Sequence, residues 1–311
     1  PKIAFNVVPG WMLYILLFQI GVAYFYGGIA KINPDWLQGQ PMFLWLAKET
    51  NFPVIGPYFS EPWMVLGMSY AGLLLDLLIV PALVWKKTRK WAFILITAFH
   101  VMNHFLWNIG IFPWFMIAAT TLYFEPDWFR KVLTRIKRIP LSFPKANTEV
   151  GSFALPTSLF VGICIFAAIQ LVVPFRHWLS PGNVNWTEKG HRFSWHMKLR
   201  DKRARARFKV IDPIKNDTIK VDPRRYLTPR QLKKMRWQPD MVVQFAHHLG
   251  KKYKEKGRLG VQVYADIEAS LNGRDLQQFI HPGVDLMTIS HRSPTKLYVI
   301  PMETPLSLPY K

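Results

Sequence analysis

The chain has 311 residues, 50% of them hydrophobic, and carries 40 Lys and Arg against 19 Asp and Glu, a formal net charge of +21. So apolar a chain can bury a core, which excludes disorder, and Cys164 as the only cysteine excludes a disulfide scaffold. An ordinary soluble domain fits poorly, because the mean hydropathy of +0.07 averages two unlike halves. Residues 1–176 hold 14 Lys/Arg and 7 Asp/Glu, and residues 177–311 hold the remaining 26 and 12. The expected architecture is an integral-membrane, all-α helical bundle over 1–176, followed by a soluble, mostly β (α+β) domain over 177–311.

Apolar stretches of about 17–25 residues are long enough to cross a bilayer as helices. The first runs from Trp11 to Ala30 and meets no charge until Lys31. The second runs from Met64 to Trp85 with one ionisable residue, Asp76. The tract from Trp91 to Phe124 exceeds one bilayer thickness and is expected to hold two crossings, broken at Gly110 to Pro113. The last candidate runs from Ser152 to Val173, giving five.

Loop charge sets direction. Lys86, Lys87, Arg89 and Lys90 follow the second span, and Arg130, Lys131, Arg135, Lys137 and Arg138 follow the fourth, so these short loops face inward. The loop Asn33 to Pro62 has one cation, Lys48, against Asp35, Glu49 and Glu61, and faces outward. An odd number of crossings then leaves the C-terminal half on the extracytoplasmic side. The chain starts with Pro and shows no signal peptide, so it reads as a fragment or a renumbered portion, with N-terminal material expected to be missing.

From His177 onward the pattern changes to short elements. Val263 to Leu271 and Lys296 to Pro301 read as strands, and His196 to Asp212 as a hairpin with a cationic middle. Thr228 to Gly250 reads as a helix with Thr228 as N-cap, Pro229 at the first helical position and a split at Pro239. This half carries +14 but no zinc-finger, RNP or helix-turn-helix signature, so nucleic acid is not an expected partner. Anionic lipid or an acidic polypeptide is.

Ionisable groups inside spans are functional-site candidates by default, because they are costly to bury. Lys31 at the outer end of the first span suits a base whose amine is desolvated at the mouth of an apolar cavity, and equally a lysine snorkelling to the headgroups. Asp76 suits a proton relay or an inter-helix partner. His100, Asn103 and His104 share one helical face; two His at i and i+4 can bind metal, but no acidic third ligand is near, and a polar cavity lining fits better. At the membrane exit His177, Trp178, Trp186, His191, Trp195, His196 and Met197 crowd about twenty residues, where aromatic anchoring accounts for the tryptophans. Asn185–Trp186–Thr187 and Asn216–Asp217–Thr218 match glycosylation sequons.

Taken in order, YFYGGIAKINPDWLQGQPM, GLLLDLLIVPALV, FHVMNHFLWNIGIFPWFM, EPDW, VPFRHWL, NVNWTEKGHRFSWHMKLR, YADIEASLNGR and IHPGVDL resemble the vitamin K-dependent γ-glutamyl carboxylase family, in its bacterial-type membrane form. The resemblance covers almost the whole chain. It implies an enzyme that couples oxygenation of a reduced vitamin K (phylloquinol or menaquinol) to its epoxide with carboxylation of peptidyl glutamate, using O2 and CO2 and no metal. The family's lysine base, which deprotonates the quinol, falls on Lys31. Supporting roles in the quinone pocket fall on His100, Asn103, His177 and Met197. His191 stands where animal members have tyrosine, leaving its role open. Arg200, Lys202 and Arg274, with His191, are candidates for holding a glutamate carboxylate, because an acidic substrate needs cationic clamps. The family's membrane region begins earlier, and its N-terminal helices carry a further His/Asn site that is absent from this chain. The single cysteine excludes the disulfide of animal members. The rival readings are an epoxidase-only quinol oxygenase, a non-enzymatic membrane-anchored module for acidic protein or anionic lipid, and a metal-dependent oxidase built on His100 and His104.

Overall fold

The computed structural model describes residues 9–107, 109–125, 128–137, 155–290 and 292–308. In chain order its helices are α1 (Gly10–Lys31), α2 (Pro34–Leu37), α3 (Met42–Leu46), α4 (Pro62–Val84), α5 (Arg89–Trp107), α6 (Phe112–Thr120), α7 (Trp128–Lys137), α8 (Thr157–Val172), α9 (Val184–Thr187), α10 (Pro229–Met235) and α11 (Pro239–Glu255). The strands are β1 (Lys202–Asp212), β2 (Asp217–Val221), β3 (Gln262–Leu271) and β4 (Gln277–Ile280). The chain divides into two compact units: residues 1–32, 52–54 and 70–174, and residues 33–51, 55–69 and 175–311.

In the first unit, α1, α4 and the run Thr157–Leu179 are the described helices long and apolar enough to cross a membrane. At 1.5 Å per residue their 22 or 23 residues exceed the roughly 30 Å hydrocarbon thickness. The tract expected to hold two crossings breaks where expected: Gly110 takes a left-handed φ of +73°, and Pro113 enters the first turn of α6. Its two pieces are unequal. α5 has 19 residues, diluted by His100, Asn103 and His104, whereas α6 has only 9, about half a bilayer in length. Among the described residues, three helices are long and apolar enough to cross, against the five expected. The basic stretch expected as a loop is partly helical as α7, while Arg138 and the start of the fifth candidate at Ser152 lie outside the described residues.

α1 and α4 approach closely because glycine lines the seam. A Cβ on Gly28 would stand 2.6 Å from Leu77 Cδ2 and 3.1 Å from the Leu77 amide nitrogen, so the two backbones could not meet there with any other residue. Tyr24, Leu83, Ile96 and Met116 bury the core behind it.

The second unit is built on an antiparallel sheet ordered β2-β1-β3-β4. β1 alternates Ala204, Phe208 and Val210 inward with Arg203, Arg205, Arg207 and Lys209 outward, the period-2 pattern of a strand with one buried face. α11 closes the inward face, with Phe245 edge-on to Phe208 at 4.9 Å. Residues 196–212 were expected to fold back on themselves. Instead, residues 202–212 run straight as β1 and turn after Asp212, whose carboxylate accepts from the Ile214 and Lys215 amides. Lys296–Pro301 is likewise not a strand: it holds a 3-10 turn, and only Val299 bridges to Ile280. The helical expectation holds, with a Thr228/Gln231 capping box, Pro229 at the start and the split before Pro239.

Asp35 ties residues 33–51 into this unit. Both its oxygens accept from Arg274 at 2.7 Å, and Asn272 Nδ2 donates to one of them at 2.8 Å. Both side chains are under 10% exposed. Removing one member of a buried pair strands the other's charge, so Asp35→Ala should cost about 3–5 kcal/mol. Denaturant titration of the full chain, followed by exposure of the sheet to proteolysis, reads this; an unchanged midpoint would contradict the role given to the pair.

Candidate functional site: two buried polar clusters

Lys31 is the last residue of α1, where helix carbonyls lack amide partners and a cation is favoured. Its side chain does not snorkel outward. It is 11% exposed, and its Nζ donates to the Gly27 carbonyl at 3.2 Å and to the Asp76 carboxylate on α4. Asp76 is equally buried, at 10%. Of its two expected roles, the structure supports the inter-helix partner. Leu77, the residue after it, is the one that meets Gly28, so the helix seam sets the distance at which amine and carboxylate meet.

On the same unit, Tyr24 hydrogen-bonds His100 Nε2 at 2.8 Å. His100 Nδ1 and Asn103 Oδ1 are buried and have no hydrogen-bond partner among the described residues. His104 points its ring at Trp114, 5.1 Å away, rather than joining His100. Among the described residues no three His, Cys, Asp or Glu are grouped as metal ligands. A groove of about 800 Å3 runs along α1 and α4, from Leu13 and Val84 to Tyr26 and Leu77, closed by Leu171 and Leu122. Its walls are mostly apolar, with Arg89 and Glu125 among them, and neither Lys31 nor Asp76 lines it.

The second cluster lies in the second unit. Gly190, at φ +75°, lets its loop press on His177: a Cβ there would stand 2.6 Å from His177 Cα. Glu188, Phe193, Trp195 and Lys198 also take positive φ, a concentration of strain that non-glycine residues rarely carry outside functional loops. The loop brings His196 within 4.8 Å of His177 and 5.9 Å of His191, ring to ring. Glu188 accepts from Arg200 and lies 3.5 Å from Lys202 Nζ. The Lys202 amine stands 4.3 Å over Phe279 and 5.3 Å over Trp186.

Burial governs this cluster's protonation. It pushes the Lys202 amine down to about 7 and the Glu188 carboxyl up, in both cases outweighing their attraction. Burial, then the charge on Arg200, brings His191 down to about 3; burial, then His177, brings His196 down to about 4. Both imidazoles are therefore neutral. His191 Nε2 and His196 Nδ1 are buried and lack a hydrogen-bond partner among the described residues. Such groups commonly meet a ligand or ordered water.

The structure thus gathers His177, His191, Arg200 and Lys202, and separately pairs Lys31 with Asp76 and His100 with Tyr24. Arg274 belongs to Asp35, and Met197 is 38% exposed. Of the sequons, Asn185 is buried and Asn216 exposed. Tyr24, Glu188 and Asp35 were missed as site or anchor residues. Tyr24 stands seven residues before Lys31, a two-turn spacing that signals a shared helix face; nothing in the sequence marks Glu188.

A family model described as "Vitamin K-dependent gamma-carboxylase, lumenal domain" matches residues 156–305, and one described as "HTTM domain" matches residues 1–128. No solved structure matches the chain.

Neutral buried histidines make stability pH-dependent with a definite sign. Between pH 6.5 and about 4 the unfolded chain protonates His191 and His196 while the folded chain does not, so the histidines cost no stability above 6.5 and lower it as pH drops through that window. Thermal melts of the protein from pH 7.5 to 4 should show this fall, and His191→Phe should flatten it. A fall of the same slope in His191→Phe would remove that residue as a source.

Proposed function

The chain belongs to the vitamin K-dependent γ-carboxylase family, and from that premise we propose that it is a multi-pass membrane enzyme. It couples epoxidation of reduced vitamin K, phylloquinol or menaquinol, to carboxylation of glutamate in a polypeptide, with O2 and CO2 as co-substrates. Its C-terminal unit lies on the extracytoplasmic side. The observation that carries the reading is the buried Lys31–Asp76 pair among apolar helices. Two ionisable groups are costly to place there, and a structural role alone is met as well by apolar side chains.

The quinol supplies the reducing equivalents with which O2 generates a base strong enough for the glutamate γ-proton. The residues supply the rest. An amine paired with a carboxylate becomes a base when the proton passes to the carboxylate, which leaves amine and carboxylic acid with no change in net charge. In that form Lys31 takes the proton of the quinol hydroxyl, and Asp76 holds the proton the lysine gave up. The groove beside Leu77 suits an isoprenoid tail, whose burial supplies affinity in proportion to area. Tyr24 fixes the His100 ring, leaving Nδ1 to contact a bound polar group. In the second unit Arg200, Lys202 and the two neutral histidines form the carboxylate-binding group for glutamate.

The epoxidase-only reading is favoured by one specific observation. Arg200 and Lys202 already face Glu188, and Arg274 faces Asp35, so a substrate carboxylate must displace a carboxylate of the chain itself.

The test is epoxide formation by the full chain in neutral-lipid nanodiscs with phylloquinol and O2. Lys31→Ala should lower the rate by about 10²-fold or more, the scale of a lost proton-transfer group. Asp76→Asn, which cannot take the lysine's proton, should lower kcat and also weaken the helix seam, because it leaves the ammonium buried and unpaired. Undiminished epoxide from Lys31→Ala would remove the lysine from the chemistry. A gain of one CO2 in the mass of a supplied Glu peptide separates carboxylase from epoxidase.

A further inference from the structure

The outward face of the sheet is not used by either cluster. Along β1, Arg203, Arg205, Arg207 and Lys209 are all exposed, at every second residue. Side chains on one face of a strand repeat at about 6.8 Å, so the four form a row about 20 Å long. Lys220 of β2 stands directly opposite Lys209. Like charges so placed oppose strand pairing. On the other flank β3 sets Ser270, Glu268, Asp266 and Tyr264 opposite the four in turn. Asp266 approaches Arg207 at 3.8 Å, and Lys209 lies over the Tyr264 ring at 5.1 Å. Arg203 meets Asp201 at 3.1 Å. The acids paired directly opposite the row thus lie on β3, and on the β2 side Lys220 adds a cation opposite Lys209.

We propose that this row is a docking surface for an extended acidic polypeptide with carboxylates at alternate positions. An extended chain presents alternate side chains at the same spacing as β1 presents its cations, so about seven residues could pair with all four in register. A bilayer surface offers charge but no such repeat. The β3 acids repel a carboxylate placed over them and keep the peptide on the β1–β2 side. The partner's identity as substrate rests on the carboxylase reading: chain held at this row would keep a Glu-rich polypeptide bound while individual glutamates react. The row itself is a docking surface and touches no reacting atom.

Fluorescence anisotropy of the full chain in neutral-lipid nanodiscs tests it, with two labelled peptides of about twelve residues and identical composition. One alternates Glu and Ser; the other has all its Glu in one block. The alternating peptide should bind about tenfold tighter at low salt and weaken steeply as salt rises. The exposed double variant R205S/R207S should lose about tenfold in that affinity. Its epoxide formation should be unchanged, and Lys31→Ala should bind the peptide as the parent does, so failure of docking and failure of the chemistry are separately visible. Equal binding of the two peptides, or parent-like binding by R205S/R207S, would overturn the proposal. Binding of phosphatidylserine vesicles with the same dependence on Arg205 and Arg207 would also overturn it, assigning the face to a lipid surface.

Discussion

The ion pair between Lys31 and Asp76 constrains the helical unit more than any other contact described. Each group alone is intolerable among apolar helices, so each fixes the other's place, and the place is set by backbone approach. Gly28 lets α4 come within reach, Leu77 fills the space, and the carboxylate one residue earlier meets an amine three residues later on α1. Widening the helix seam by one methyl group would part the charges and leave both buried.

That logic explains which parts of the site were legible beforehand. Lys31, Asp76, His100 and Asn103 announce themselves because polar residues stand out in apolar tracts, and the membrane penalises any polar residue kept without cause. What the tracts could not show is pairing. Lys31 and Asp76 are 45 residues apart, and only a helix crossing makes them neighbours. Tyr24 was overlooked for the related reason that a tyrosine among phenylalanines carries no charge to betray its hydroxyl.

The second unit shows the opposite balance. There cations are abundant, and abundance hides the specific ones. Charge alone ranks Arg274, Arg200 and Lys202 equally as carboxylate clamps, yet folding buries Arg274 against Asp35, drawn from a segment more than two hundred residues away. Glu188 does the same to Arg200 and Lys202 from nearby. The sheet was readable where alternation was clean, as in β3, and misread where β-branched and aromatic residues formed a 3-10 turn instead, as at Lys296–Pro301. In the second case composition matched a strand, but Pro294 leads into a 3-10 turn at Thr295–Leu297 that takes up half of the segment before Pro301.

The neutral histidines and the buried amine give the second unit a character that its net charge conceals. A cluster with Arg200, Lys202 and three imidazoles would, if fully protonated, repel itself apart; burial instead discharges His191 and His196 and draws Lys202 toward neutrality, while Arg200 stays paired with Glu188. The result is a site rich in hydrogen-bonding nitrogen and poor in mobile charge. The outward face of the same sheet keeps its cations solvated and in a row. One strand, β1, therefore carries two kinds of positive residue: Lys202 at its start, stripped of water, and Arg203 to Lys209 along its length, left in it. Alternation of a β-strand is enough to separate them.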